Sequence, residues 1–200
     1  MAAANVEDCF YTAMEAVQIA REYSVPVLLL SDQAIATRIE AFDEPKLEEI
    51  CQDLTPDLTP TPTHKPYDLE SATGASQHRA PGTRIEDGRY PVITGLEHDE
   101  WGHPSASPDL HEGMTYKRRN KLKALADALP VPEVYGADSG EVLVVGWGST
   151  TGPLYEAVEK SGNNGQAVSA LKLRHINPLP NGLEEIFARF KKIYVVEMND

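Results

Sequence analysis

Glu141-Val142-Leu143-Val144-Val145-Gly146-Trp147-Gly148-Ser149-Thr150 reads as a strand that runs into a glycine turn. Glycines then break it, and Gly152 to Lys160 resumes at helical spacing, with Leu154, Ala157 and Val158 turned inward. Ala167 to Leu173 reads as a second strand, Leu183 to Phe190 as a second helix and Ile193 to Val196 as a third strand. Strands alternating with helices predict a parallel α/β sheet over 138–200.

The N-terminal segment, 1–42, repeats this alternation. Asn5 can cap a helix that runs to Tyr23, with Val6, Phe10, Ala13, Val17, Ala20 and Tyr23 on one expected buried face. Val25-Pro26-Val27-Leu28-Leu29-Leu30 then reads as a strand covered on both sides. Ser31-Asp32 ends it and can cap a short helix through Ile39. A lone helix-strand-helix unit looks like the last piece of a doubly wound sheet. With a strand close to residue 200 as well, the chain is expected to be truncated at both ends.

Between these α/β pieces, 43–137 changes character. Thr55-Pro56-Asp57-Leu58-Thr59-Pro60-Thr61-Pro62 and its neighbours block helix and remove donors, predicting an extended meander. Tyr67, Leu69, Ile85, Tyr90 and Val92 give it apolar groups to lay on other protein surface. A helix is expected at about 108–129. Ser107 can cap it, Pro108 opens it, and Pro130 and Pro132 stop it. Leu110, Met114, Leu122, Leu125 and Leu129 mark its apolar stripe.

Composition narrows the function classes. With 31 acidic against 18 basic residues, a net charge of −13 repels nucleic acid and anionic membrane surfaces. Cys9 and Cys51 are too few for an iron–sulfur cluster and read as reduced thiols. No apolar run approaches a membrane span, and Met1-Ala-Ala-Ala-Asn5 carries no leader pattern, so a cytoplasmic location is expected.

Four groupings could carry chemistry. The turn Gly146, Gly148, Ser149 and Thr150 offers free amides at a helix start, which attract anions, or is simply a tight strand-to-helix turn. Glu97, His98, Asp99, Glu100, Trp101, His103 and His111 bring acids, imidazoles and an indole together. Metal ligation is the weaker reading, because the spacing follows no ligand pattern. Acid–base work by His98 or Glu97 needs burial beside a substrate. The plainer reading is an ordered loop at a subunit interface or active-site mouth. Lys117, Arg118, Arg119, Lys121 and Lys123 could hold an anion such as the phosphates of coenzyme A, or form a solvated helix face. His175 and Asn177 follow a strand's carboxyl end, where open α/β sheets bind ligands, or sit in a proline-shaped loop.

Taken in order, Glu7-Asp8-Cys9-Phe10-Tyr11, Pro26 to Asp32, Thr94-Gly95-Leu96-Glu97-His98-Asp99-Glu100 with Gly102, and Val145 to Thr150 carry a family resemblance. The chain resembles the alpha subunit of 2-oxoacid:ferredoxin oxidoreductases, of the 2-oxoglutarate type. The run from Thr94 to Glu100 is the specific marker. The resemblance implies the end of a pyrimidine-type thiamine diphosphate domain at 1–42, the meander, and part of a transketolase C-terminal-like domain at 138–200. It implies oxidative decarboxylation of a 2-oxoacid to an acyl-CoA, with electrons passed through a partner's iron–sulfur cluster to ferredoxin. Thiamine diphosphate and magnesium would be held mainly by the beta subunit. Gly74-Ala75-Ser76-Gln77-His78-Arg79-Ala80-Pro81-Gly82 departs from the family's Gly-x-Ser-Pro-Arg pattern. No catalytic residue carries over, and the chain alone is expected to be inactive. The competing expectation is a non-catalytic transketolase C-terminal-like module for assembly, or for anion or nucleotide binding at Gly146 to Thr150.

Overall fold

A computed structural model describes residues 1–47, 65–76, 79, 81–85, 88, 90–165 and 167–198. Cys51, the Thr55 to Pro62 run, Gln77 and His78 lie outside the described residues. The chain divides into two compact units. The first joins 1–17, 27–45 and 126–200, and the second joins 18–26 and 46–125.

Among the described residues the helices named here are, in chain order, α1 (Val6–Tyr23), α2 (Gln33–Ala36), α3 (Pro108–Ala128), α4 (Thr151–Asn163) and α5 (Leu183–Phe187). The strands are β1 (Val134–Tyr135), β2 (Gly140–Gly146), β3 (Val168–Lys172) and β4 (Phe190–Val195).

The first unit is built on a sheet of order β1-β3-β2-β4. Strands β3, β2 and β4 are parallel, as the alternating pattern predicts. The short β1 adds an antiparallel edge on β3, pairing Val134 with Leu171 and Tyr135 with Ala170. At two residues it is too brief to leave a sequence signal. Leu143, Val145, Leu171, Leu183, Ile186 and Phe190 form the core. Burying such side chains stabilises the unit by about 1.5–3 kcal/mol each. The crossover α4 presses Leu154 against the end of β2. A Cβ at Gly146 would stand 2.6 Å from Leu154 Cδ1 and 2.7 Å from Thr150 Oγ1, so only glycine allows this approach.

Helix α1 begins on paired caps. Asn5 Oδ1 accepts from the Asp8 amide at 2.7 Å, and Asp8 Oδ2 accepts from the Ala4 amide at 2.8 Å. Its buried line is Thr12, Ala16, Ile19 and Tyr23. The expected stripe through Ala13 and Val17 is therefore corrected: Ala13 is exposed and Val17 is 48% exposed. The face is turned because a polar residue takes part in it. Thr12 is 1% exposed and its hydroxyl accepts from Arg174 at 3.1 Å.

The segment 25–30 is also corrected. It is extended but makes only one isolated parallel bridge among the described residues, Leu30 to Ala2. The Met1 ammonium donates to the Leu28 carbonyl and the Leu30 amide to the Met1 carbonyl. Leu28, Leu29 and Leu30 are exposed, Leu28 at 75%. An apolar run signals a need for cover, and no described strand of this chain flanks it on both sides.

In the second unit, the described residues between 65 and 105 form turns and extended chain rather than strands. They lie with the first part of α3, which Ser107 caps through the Leu110 and His111 amides. The buried line of α3 is Met114, Lys117 and Leu125, whereas Leu122 is exposed. The reading of the basic cluster as a wholly solvated face fails at Lys117, which is 6% exposed.

Candidate functional site

The second unit holds the loop of acids and imidazoles. Tyr67 anchors its start: the Thr94 amide donates to the phenol oxygen at 3.2 Å, and the phenol donates back to the Thr94 carbonyl at 3.3 Å. The Tyr67 ring lies 3.7 Å from the buried His98 ring, centroid to centroid. His98 Nδ1 donates to the Leu96 carbonyl at 2.5 Å. Gly102 turns the chain at φ 89°, a conformation that favours glycine, and a Cβ there would overlap the Val92 carbonyl.

Each carboxylate of the loop already has partners. Glu97 accepts from Arg118 through both oxygens, each at 3.2 Å, and pairs with the His111 ring. Arg118 first, then His111, hold the Glu97 carboxyl down to about 2. Asp99 accepts from the Trp101 and His103 amides, both at 2.9 Å, and lies 3.4 Å from the His103 ring nitrogen. Burial pushes the Asp99 carboxyl up, but these donors leave it below its ordinary value. Glu100 accepts from Lys65 at 3.1 and 3.2 Å and from the Leu69 amide at 3.0 Å.

The arrangement is a braced surface. The acids spend their lone pairs on Arg118, His111, Lys65 and backbone amides, which does not suit them to shuttle protons. The loop presents Leu96 at 66% and Trp101 at 39% exposed, with an exposed His103 beside them. Lys65 Nζ lies 6.0 Å from the Trp101 ring centroid.

The first unit holds the glycine turn. Its Ser149 amide, the group that would meet an anion, donates to Asp32 Oδ2 at 2.9 Å. The other Asp32 oxygen caps α2 through the Ala34 and Ile35 amides, at 3.0 and 3.1 Å. Thr150 Oγ1 donates to the Trp147 carbonyl at 2.6 Å. This chain therefore supplies its own carboxylate at the turn that Gly146, Gly148, Ser149 and Thr150 form. The cap at Asp32 was legible in the sequence, but its second partner was not.

His175 is buried and its Nε2 lies 2.8 Å from Glu15 Oε1. Arg174 binds Asp8, Thr12 and Glu15 of α1. Burial pushes the Glu15 carboxyl up, but His175 and Arg174 together leave it lowered. This network, missed from sequence, pins α1 to the carboxyl end of β3. Only its charge complementarity at a distance could have revealed it.

Among the described residues, no helix is long and apolar enough to cross a membrane.

The sequence profile described as pyruvate flavodoxin/ferredoxin oxidoreductase, thiamine diphosphate-binding, matches residues 1–114. The chain is 36% identical to 2-oxoglutarate oxidoreductase subunit KorA of Mycobacterium tuberculosis, over 96% of this chain and 29% of that protein. It is 27% identical to 2-oxoglutarate synthase subunit KorA of Methanothermobacter marburgensis, over 98% of this chain and 51% of that one. The chain thus spans about a third to a half of the length of these relatives. The 2-oxoglutarate:ferredoxin oxidoreductase of Magnetococcus marinus, solved with 2-oxoglutarate, coenzyme A and succinyl-CoA bound, superposes with a TM-score of 0.86. That match is 31% identical and covers 100% of this chain and 35% of the solved one. With the profile over more than half of its length and these relatives matched along nearly all of it, the chain belongs to the pyruvate flavodoxin/ferredoxin oxidoreductase family.

Proposed function

We propose that this chain works within the alpha subunit of a thiamine diphosphate-dependent 2-oxoacid:ferredoxin oxidoreductase, with 2-oxoglutarate as its 2-oxoacid. The reaction is oxidative decarboxylation to the acyl-CoA, with electrons leaving through an iron–sulfur cluster on a partner subunit to ferredoxin. The observation that carries this reading is the similarity, along the whole chain, to an oxidoreductase solved with 2-oxoglutarate and coenzyme A.

The residues of this chain do not fit the cofactor's diphosphate at the turn of Gly146 to Thr150, because Asp32 holds the Ser149 amide. The carboxylates of the 97–100 loop are likewise engaged by Arg118, Lys65 and backbone amides. The reading accordingly gives the diphosphate and magnesium to the beta subunit. It gives this chain the framework around them. Glu97, His98, Asp99 and Glu100 stiffen a loop whose exposed Trp101 and His103 meet a neighbouring subunit or border the active-site mouth. The same occupied turn argues against the alternative of an anion- or nucleotide-binding module at Gly146 to Thr150. The assembly is cytoplasmic in this reading.

Co-purification tests it. A tagged form of the chain, in its full natural subunit, should bring down a beta subunit with a thiamine diphosphate motif. Its recovery without such a partner would overturn the reading.

A further inference from the structure

The second unit holds a half-open pocket of about 510 Å³. This is within the range of small-molecule sites. Met114, Lys117, Arg118 and Lys121 of α3 form one wall. Tyr67, Tyr90, His98 and Arg79 come from the irregular segments. No carboxylate is among the described residues that line it, in a chain with 31 acidic and 18 basic residues. The described lining thus gathers Lys117, Lys121, Arg79 and Arg118, of which Arg118 is already paired with Glu97.

Two of these cations are held inward by neutral oxygens. Lys117 Nζ donates to the Gly74 carbonyl and, at 3.1 Å, to Ser76 Oγ. Lys121 Nζ donates to the Ser24 carbonyl at 2.7 Å. Neither ammonium forms a salt bridge among the described residues. A buried ammonium with no carboxylate in direct contact is costly, because burial disfavours its charged form. Burial, followed by repulsion from Lys121, lowers the Lys117 pKa against the smaller opposing pull of Asp68 and Glu100; burial, followed by Arg118, lowers that of Lys121. An incoming anion would relieve both.

We propose that this cavity is a binding site for a small organic oxyanion, seated between the ammonium groups of Lys117 and Lys121 with its body against the Tyr67 and Tyr90 rings. A carboxylate and a phosphate ester share this chemistry. The site lies wholly within the second unit and does not depend on the oxidoreductase reading.

Titration of the isotope-labelled chain with inorganic phosphate, AMP and succinate, followed by amide NMR in low salt, tests the site. Saturable shifts at Tyr67, Ser76 and Lys121 are expected, with a Kd of about 1 mM or tighter for at least one probe. Lys121→Gln and Lys117→Gln keep an N–H for the carbonyl partners and remove only the charge. Each should weaken binding about tenfold, the effect of one charge-assisted contact. Lys160→Gln, on the exposed face of α4, should change nothing. Binding of phosphate and AMP alone assigns a phosphate ester, and binding of succinate alone assigns a carboxylate. The proposal is overturned if no probe gives saturable shifts, or if Lys121→Gln binds as tightly as the natural chain. Lys121 is only half-buried, so this arm stands even where Lys117→Gln fails to fold.

Discussion

Asp32 and Ser149 are 117 positions apart, yet the Asp32 carboxylate accepts the Ser149 amide at 2.9 Å while its other oxygen caps α2. One side chain closes a helix start and a glycine turn together. Asp32→Ala should cost about 1–3 kcal/mol, since it removes a cap and leaves a turn amide without its partner. Burial raises the Asp32 carboxyl, but the Ser149, Ile35 and Ala34 donors leave it lowered. Its contribution is therefore full above the unfolded value near 3.9 and fades as pH falls below it. Urea melts of both proteins at pH 7 and pH 3 should show a gap that shrinks in acid.

Glu97→Gln frees Arg118 and His111. These pairs are partly exposed, so the expected loss is below about 1 kcal/mol at neutral pH. With the Glu97 carboxyl held to about 2, the contribution is full above the ordinary glutamate value of about 4.3 and is lost progressively as pH falls from there toward 2. Added salt should narrow the difference in melting temperature between the two proteins.

Gly102→Ala puts a methyl group against the Val92 carbonyl at a backbone angle of φ 89°. The expected cost is more than about 2 kcal/mol, read as a lower urea midpoint at unchanged slope. Alanine at Gly152, where a Cβ would meet nothing, should be tolerated and serves as the control.

Much of the first unit was legible from Val142 to Val145 and the elements after it, because apolar strand runs that alternate with helical patterns predict a parallel sheet. The same signal misleads at Val25 to Leu30. It reports that cover is needed, and says nothing about which chain provides it. The inner line of α1 was turned by Thr12, whose burial rests on Arg174, 162 positions away. Lys117 is the sharpest case. A lysine in a basic run reads as solvated, yet the Gly74 carbonyl and Ser76 hydroxyl draw it inward. At the candidate loop, the residue types and their role as an ordered turn were readable. The partners Arg118, Lys65 and Tyr67 were not, since each lies far along the chain.

Trp101 is 39% exposed on a loop that its neighbours brace. Trp101→Ala should shift the melting temperature of the chain only slightly, as surface changes usually fall within about 0.5 kcal/mol. In the assembled enzyme it should weaken subunit association by about tenfold or more, as loss of an interface tryptophan typically does. Analytical ultracentrifugation of the complex, beside a thermal melt of the subunit alone, separates the two effects. A large melting loss with normal assembly would contradict the interface role.

Ferredoxin reduction reads the assembly's chemistry most directly. The complex purified through this subunit should reduce ferredoxin only when 2-oxoglutarate and coenzyme A are both present, with succinyl-CoA as product. A complete complex that reduces ferredoxin with neither, or that leaves 2-oxoglutarate untouched under all conditions, would contradict the account.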